Sequence, residues 1–323
     1  MKKIKASAPG KLMLFGEHAV VYGYPCIVTA VEQRVRVEVQ KIENDILKIE
    51  APEVGVRGYT KKIKSLGEKA NIPKGVIFLN MAVKNFFKKY KIESGLKIKT
   101  KSEFSSEFGF GSSSAVTVAA IKALAELFKI KLKNKQLFDL AYKTVLEVQG
   151  VGSGFDLAAA IWGGTLLFVT GGRKIVPLKI KELPLVVGYT GVKADTPTLV
   201  RKVAELRQRY PQLVDGIFDN INFVVEEAKN SLIEGDWQKT GELMILNQGL
   251  LEALGVNTKK LSDLIFAALD AGAYGAKLSG AGGGDCMIAL GSERMKREIA
   301  QAVEKAGGKY LEVKPNAEGV RIE

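Results

Sequence analysis

The sequence predicts an α+β fold in two domains, and three observations support this. The chain has 323 residues, which is more than a single core of ordinary size accommodates. Its 46% hydrophobic and 26% charged residues are typical of a globular protein with enough apolar material for a core. Strands and helices are predicted in both halves without steady alternation, which favours α+β domains over a doubly wound sheet. We expect a boundary near residue 180, with domains over 1–180 and 181–323.

The first half is predicted to begin with antiparallel strands. In CIVTAVEQRVRVEVQ, Val35, Val37 and Val39 face one way and Arg34 and Arg36 the other, as in a half-buried strand. The predicted elements are, in order, strands within 4–50, a loop over 51–75, a helix over 76–90, a strand pair near 96–101, helices starting near 112 and 135, and a hairpin in GGTLLFVTGGRKIVPLKI.

The second half is predicted to contain more helix. It opens with the strand LPLVVGYTG and continues with long helices to about residue 271. It closes with the strand AKLS, a glycine run, the apolar segment CMIAL, a helix over 293–306, and the short strands KYLEVK and GVRIE. This mixture is again typical of an α+β domain.

Membrane and secreted proteins are disfavoured by the sequence. Apolar runs such as AAAIWGGTLLFV are shorter than the roughly 20 residues that span a bilayer, and glycines interrupt them. The beginning, MKKIKASAPGK, lacks the apolar stretch of a signal peptide. We therefore expect no contact with a membrane and a cytoplasmic location.

Cysteine usage and charge exclude further classes. Cys26 and Cys286 lie in apolar stretches, which favours buried thiols over a disulfide framework or a zinc site. The net charge of +13 is compatible with an acidic small substrate, and segments such as VKNFFKKYKIE predict solvated lysine-rich faces. Because no nucleic-acid-binding motif accompanies this charge, we expect no nucleic-acid partner.

A glycine-serine loop, GFGSSSA over 109–115, precedes a predicted helix. Glycines let backbone N–H groups converge on an anion, and the N-terminus of a helix adds partial positive charge. The loop matches neither the Walker pattern nor the dinucleotide fingerprint. It predicts either a phosphate site of another kind or a glycine turn in which a serine caps the helix.

A second glycine run, GAGGG over 280–284, lies between the predicted strand AKLS and the segment CMIAL. A flexible linker would be polar on both sides, so these glycines indicate either a close approach of the backbone to a ligand or a tightly packed turn.

Three further residues carry candidate chemistry. Asp156 stands at the head of an apolar, alanine-rich segment, where it is either a helix cap or a catalytic carboxylate. Lys11 is a cation at the start of a hydrophobic strand. His18 is the only histidine of the chain and directly follows Glu17, which is placed to fix its tautomer. A purely structural, hydrogen-bonded histidine is the alternative.

Taken together, these motifs resemble the GHMP small-molecule kinases. The family is similar in its early APGKLMLFGEHAVVYG, central FGFGSSSAV and late KLSGAGGGDC, which occur here in the same order over nearly the whole chain. Within that family the chain is most similar to the mevalonate kinases of archaeal type, including LMILNQGLLEALGVN and AGGKYLEVKPNAEGVRIE. The resemblance implies the GHMP kinase fold, an active site between two domains, and ATP- and Mg²⁺-dependent phosphorylation of the 5-hydroxyl of mevalonate.

The resemblance also implies roles for individual residues. Asp156 would be the general base or orienting group for the attacking hydroxyl, and Lys11 would stabilise the developing negative charge. Ser113 would contact Mg²⁺. The residues expected to bind ATP are Gly109, Phe110, Gly111, Ser112, Ser113 and Ser114. Those expected to bind the substrate are Glu17, His18, Thr196, Gly280, Ala281 and Gly282.

Two features depart from the mevalonate kinase pattern. A magnesium-binding glutamate of those enzymes lies eleven residues before the aspartate, and Val145 occupies that position here. Glu147 lies about 200° further around the helix, so it is either a weaker magnesium candidate or a solvent-facing residue.

The segments QGVGSGFDLAAA and GYTGVKADTPTLV look more like phosphomevalonate kinases. This leaves 5-phosphomevalonate as an alternative substrate, with Lys193 or Arg201 as candidate contacts for its phosphate. A non-catalytic GHMP-fold protein that binds a ligand is a third alternative, although Lys11 and Asp156 are both present. The resemblance also leaves a homodimer open.

Overall fold

Two β-sheets organise the chain, which the computed structural model describes over residues 2–68 and 72–323. The strands are β1 (Lys3–Phe15), β2 (Pro25–Ile42), β3 (Ile46–Ala51), β4 (Val56–Lys62), β5 (Gly95–Ser102), β6 (Thr165–Val169), β7 (Lys174–Leu178), β8 (Leu185–Tyr189), β9 (Gly275–Ser279), β10 (Cys286–Leu290), β11 (Lys309–Leu311) and β12 (Arg321–Ile322). The α-helices are α1 (Ile77–Tyr90), α2 (Ser112–Leu127), α3 (Asn134–Gln149), α4 (Phe155–Trp162), α5 (Thr196–Arg209), α6 (Pro211–Glu234), α7 (Trp237–Ala253), α8 (Lys259–Asp270) and α9 (Lys296–Lys305).

The first sheet has the strand order β12-β1-β2-β5-β3-β4, and the hairpin of β6 and β7 extends it beside β2. β1 and β2 form a long antiparallel pair, whereas β3 lies parallel to β5. Helix α2 packs on β1 and β2 through alanine and branched side chains that are fully buried, among them Ala119, Ala120 and Ile121. The backbone N–H of Lys11 donates to the carbonyl of Phe110 at 3.0 Å, which fixes the entry to α2 against β1.

The second sheet is antiparallel throughout, with the order β11-β8-β10-β9. Helices α8 and α9 pack against it, and α7 packs on β9. The two sheets meet where β1 ends. The Ser279 hydroxyl accepts from the N–H of Met13 at 3.1 Å and donates to the Met13 carbonyl at 2.9 Å. The loops that follow β8 and β9 therefore lie near the end of β1.

The mixed helices and strands confirm the α+β prediction, and the β6–β7 hairpin is confirmed as well. The predicted strand pair near 96–101 is a single strand, β5. The predicted loop over 51–75 is partly wrong, because it contains β4, and residues 69–71 lie outside the described residues. β4 is an edge strand with mostly exposed side chains, and the lysines and glycine that suit an exposed edge look like a loop in the sequence.

The end of the chain returns to the first sheet. β12 pairs with β1, with Ala6 opposite Ile322. Arg34, expected on the polar face of β2, is only 4% exposed because this tail covers it. Its guanidinium donates to the carbonyls of Glu318 at 2.8 Å and Gly319 at 2.7 Å. The division into 1–180 and 181–323 stays a prediction, but the last residues of the second part pack on the first sheet.

Cys26 and Cys286 are both buried and free, as expected from their apolar surroundings. No helix within the described residues is long and apolar enough to span a bilayer.

Candidate active site

A cleft of about 480 Å³ lies between the two sheets. Its walls come from β1, the glycine-serine loop, the start of α4, the loop after β8 and the glycine run after β9. Segments distant in sequence converge here because α2 and α4 pack on the first sheet while the glycine run is anchored to the second. Most of the candidate residues therefore belong to one cavity.

The glycine-serine loop presents the N-terminus of α2 to this cleft. Gly111 is the N-cap with a φ of +73°, and no side chain caps the helix, which argues against the alternative of a serine cap. Gly109, Gly111, Ser112 and Ser113 line the cleft, and Ser114 does so beside them. Because the first N–H groups of α2 have no capping side chain, the loop offers donors and helix-dipole charge to an anion.

Phe110 occupies a different place from its neighbours in the loop. Its ring is buried, packs against the rings of Phe104 and Phe108 at centroid distances of 5.6 and 5.9 Å, and does not line the cleft. The structure thus makes Phe110 an anchor of the loop, and any contribution of this residue to ATP binding is limited to its backbone.

Lys11 and Asp156 form an ion pair at the floor of the cleft. The Nζ of Lys11 lies 3.2 Å from Oδ1 of Asp156, and the ammonium also lies 5.1 Å from the centroid of the Phe155 ring. Asp156 does not cap α4, whose N-cap is Gly154, so the capping alternative is not realised. With 34% of its side chain exposed, Asp156 is accessible to a ligand in the cleft.

The same ion pair lies directly under the glycine-serine loop. A Cβ atom added at Gly111 would come within 3.3 Å of Cε of Lys11 and 3.6 Å of Cβ of Asp156. The backbone of the loop, the ammonium and the carboxylate are therefore close enough to act on one small ligand.

His18 lies on the cleft wall, and its side chain bridges the two sheets. Its Nε2 lies 2.9 Å from the carbonyl oxygen of Ala281, and because a carbonyl only accepts, Nε2 carries the proton of the neutral ring. Burial lowers the pKa of His18 below its usual 6.5, against a smaller raising effect of the hydrogen bond to Ala281. A neutral imidazole leaves Nδ1 as an acceptor for a hydroxyl group.

Glu17 does not act as the sequence predicted. Its carboxylate is fully buried, does not line the cleft, and forms an ion pair with the buried ammonium of Lys277 on β9. Lys277 also donates to the carbonyl of Leu278 at 2.6 Å. The backbone turns after Glu17, with His18 at a φ of +59°, so the two side chains diverge. Glu17 therefore neither contacts a ligand in the cleft nor fixes the His18 tautomer, which the Ala281 carbonyl does.

The remaining substrate candidates divide into two groups. Thr196, Gly280 and Ala281 line the cleft. Gly282 does not, because it packs under the loop after α7, where an added Cβ would lie 2.3 Å from the carbonyl oxygen of Val256. The close approach indicated by the glycine run is thus, at Gly282, an approach of backbone to backbone rather than to a ligand.

The carboxylate of Glu147 is directed away from the cleft. It accepts from Nζ of Lys84 at 3.0 Å and from the amide of Asn85 at 3.2 Å. Val145 lines the cleft instead and presents an apolar side chain there. The carboxylate of Glu147 is therefore not placed to bind magnesium in the cleft, because Lys84 and Asn85 hold it against α1.

Sequence reasoning assigned no role to one residue of the cleft, Asp285. Its Oδ1 accepts from the backbone N–H of Ala194 at 2.8 Å. Burial raises the pKa of Asp285, while the Ala194 hydrogen bond and the charges of Lys11 and Lys193 oppose this rise. The sequence feature that could have identified Asp285 is its position directly after a run of glycines.

The oxygen atoms in the cleft suit a hard divalent cation. Oδ1 of Asp156 is buried and has no hydrogen-bond partner among the described residues, and the Ser113 hydroxyl faces the same cavity. No group of three or more His, Cys, Asp or Glu side chains within 2–68 and 72–323 forms a cluster for a metal ion. Mg²⁺ is usually bound by one or two carboxylates together with substrate phosphates, so this sparse donor set fits it.

Comparison with known families agrees with this geometry. The profile of the GHMP kinases N terminal domain matches residues 76–164, and that of the GHMP kinases C terminal matches 228–309. The galactokinase galactose-binding signature matches residues 2–41. The fold and the cleft are those of a small-molecule kinase, and the chain belongs to the GHMP kinases.

Within the GHMP kinases, the chain is similar to several mevalonate kinases. The chain is 37% identical to the mevalonate kinase of Thermococcus sibiricus, over 99% of this chain and 98% of that protein. It is 39% identical to the mevalonate kinase of Pyrococcus horikoshii, over 100% and 98%. The crystal structure of the Methanococcus jannaschii mevalonate kinase superposes with a TM-score of 0.83 at 27% identity, covering 97% of this chain and 98% of that one.

Proposed function

We propose that the protein transfers the γ-phosphoryl group of ATP to the 5-hydroxyl of mevalonate. One observation carries the proposal: the Lys11–Asp156 ion pair, at 3.2 Å, lies under the glycine-serine loop and in the same cleft as His18. We call this loop, residues 109–115, the phosphate loop because we propose that it binds the phosphates of ATP. The full-length similarity to archaeal mevalonate kinases supports mevalonate as the alcohol. Use of ATP follows from membership of the GHMP kinases.

In the proposed mechanism the phosphate loop holds the triphosphate. The N–H groups at the start of α2 and the hydroxyls of Ser112 and Ser113 bind phosphate oxygens. Phosphoryl transfer depends mainly on positioning and charge neutralisation, which explains why few side chains suffice. When bound, Mg²⁺ would offset the charge of the phosphates, and the Ser113 hydroxyl is a candidate ligand for it.

Asp156 and Lys11 serve the acceptor side of the reaction. The carboxylate of Asp156, whose side chain is 34% exposed in the cleft, orients the 5-hydroxyl and receives its proton as the new O–P bond forms. The bond between the γ-phosphorus and the bridging oxygen breaks at the same time, and ADP leaves. The ammonium of Lys11 stabilises the negative charge that develops on the transferred group.

The proposed mevalonate site lies on the wall formed by His18 and the glycine run. Nδ1 of the neutral His18 accepts a hydrogen bond from a hydroxyl group of the substrate. Thr196, Gly280 and Ala281 line the same part of the cleft and offer a hydroxyl and backbone groups. Lys193, also on this wall, supplies the cation for the substrate carboxylate.

A coupled assay of ADP release tests the proposal with mevalonate, 5-phosphomevalonate or no acceptor. Turnover with mevalonate is expected, whereas turnover with 5-phosphomevalonate alone would indicate a phosphomevalonate kinase.

The variant Asp156→Asn tests the catalytic role of the carboxylate. It should lose about 10²- to 10⁴-fold in kcat, since general-base help is removed, while retaining affinity for an ATP analogue. Near-normal turnover in that variant would remove Asp156 from the mechanism.

A further inference from the structure

Asp285 brings a second carboxylate to the phosphate loop. Its Oδ2 lies so close to Gly109 that a Cβ added to that glycine would be 2.5 Å away. Oδ1 accepts from the N–H of Ala194, which is the one hydrogen bond of this carboxylate within the described part of the chain and leaves Oδ2 without a donor. One oxygen thus holds the loop after β8, and the other remains available beside the phosphate loop.

The backbone of Asp285 adopts a conformation that is uncommon for a residue with a side chain. Its φ is +54°, in the left-handed region, directly after a glycine run in which Gly282 and Gly283 also have positive φ. Glycine would adopt this conformation with less strain than an L-residue with a side chain. The feature that aspartate adds at this position is the carboxylate.

The other acids of the cleft are already engaged. Three carboxylates line it within the described residues: Asp156, Asp195 and Asp285. Asp156 is paired with Lys11. Asp195 caps α5, since its two oxygens accept from the N–H and the hydroxyl of Thr198 at 3.4 and 2.7 Å. Asp285 also lies beside the phosphate loop, and within the described residues no ion pair and no hydrogen bond engages its Oδ2.

A lone carboxylate next to a triphosphate site is repulsive unless a cation lies between them. Lys11 and Lys193 both line the cleft and act on Asp285 through their charge. Lys11 is paired with Asp156, however, and neither lysine forms an ion pair with Asp285 among the described residues. Val145 contributes no acid from α3, and the carboxylate of Glu147 is held by Lys84. These charges favour a divalent cation between Asp285 and the phosphates.

Resting on the proposed use of ATP, we infer that Asp285 is a carboxylate ligand of the magnesium ion that accompanies the nucleotide. Oδ2 is the ligating atom, opposite Gly109 of the phosphate loop. Asp285 thereby supplies a carboxylate for magnesium. Val145 cannot supply one, although it occupies the position of the magnesium-binding glutamate of mevalonate kinases. Asp285 is thus a cation-binding residue that acts on nucleotide affinity even without an acceptor alcohol.

Calorimetric titration with a non-hydrolysable ATP analogue, without mevalonate, tests this inference. Each titration is run once with Mg²⁺ and once with EDTA. Asp285→Asn retains an oxygen for the Ala194 N–H and tolerates the left-handed backbone, but it loses the charge. With Mg²⁺ the variant should bind the analogue about tenfold more weakly than the parent protein, whereas in EDTA it should bind more tightly because the repulsion is gone.

This reversal of sign separates cation binding from a structural role. A purely structural Asp285 would shift the affinity in the same direction in both titrations, and either that result or no change would overturn the inference. Asp285→Gly, which relieves the backbone strain, should show the same reversal and guards against misfolding of the first variant. Glu147→Gln is the matched control and should leave the effect of Mg²⁺ unaltered.

The outcome is also distinguishable from failure of the proposed function. A sign reversal together with no turnover on mevalonate would leave the Asp285 site intact and refute the choice of alcohol. No binding of the analogue under either condition would refute both.

Discussion

At the scale of single residues, the cleft depends on where a few polar atoms are directed. His18, Lys11 and Asp156 were identifiable from the sequence because each is chemically unusual in its surroundings. The predicted substrate contact of Glu17 does not agree with the structure, because its carboxylate lies against Lys277. The backbone changes direction after β1, and the neighbouring residues in the sequence do not indicate this turn. Asp285 was missed for the complementary reason, because its proximity to Gly109 exists only in the folded chain.

The unique histidine permits a direct test of its environment. Since burial lowers the pKa of His18, its imidazole should titrate below pH 6.5 in the folded protein. A single ring resonance in a histidine-labelled NMR sample reports this without assignment. A titration midpoint at or above 6.5 would contradict the effect of burial on the pKa of His18.

The same shift has a consequence for stability with a definite sign. Between the lowered folded pKa and the unfolded value of 6.5, the unfolded chain binds more protons, so stability decreases as the pH falls through this range. His18→Gln should therefore lose less stability than the parent protein between pH 7 and pH 5.

At the scale of secondary-structure elements, one buried ion pair joins the end of β1 to β9. Glu17→Gln would leave the ammonium of Lys277 without its counter-charge in a fully buried place, which should reduce the free energy of unfolding by about 3–5 kcal/mol. Replacing both partners, by Glu17→Leu with Lys277→Met, should restore much of that loss, as measured by urea denaturation. If the double variant were no more stable than Glu17→Gln, the pair would not be the source of the effect.

At the scale of the whole molecule, the chain end secures the first sheet. Arg34→Leu would leave the carbonyls of Glu318 and Gly319 without their donor and should destabilise the protein by about 3 kcal/mol. Arg36→Leu is the matched control on the same strand. Its guanidinium is partly exposed and pairs with Glu103 at the surface, so its loss should cost about 1 kcal/mol or less. Equal thermal shifts in the two variants would argue against a clamping role for Arg34.

The sequence predicted the fold class, the β6–β7 hairpin and most helices, because apolar periodicity and glycine-bounded segments are local signals. It did not predict the return of β12 to β1, since pairing between the two ends of the chain leaves no local pattern. β4 was missed because an edge strand carries the lysines and glycine of a loop. The sequence indicated several of the residues that line the cleft. It did not indicate their distances, because these depend on how the two sheets come together.

We propose that the cleft directs phosphoryl transfer to the 5-hydroxyl of mevalonate. Proton-coupled ³¹P NMR of the product formed from ATP, Mg²⁺ and mevalonate shows which hydroxyl is phosphorylated. We expect ADP and one new phosphomonoester signal split into a triplet by the methylene protons of carbon 5. An unsplit signal, which would place the phosphate on the tertiary 3-hydroxyl, or the absence of a new phosphomonoester would refute the proposal.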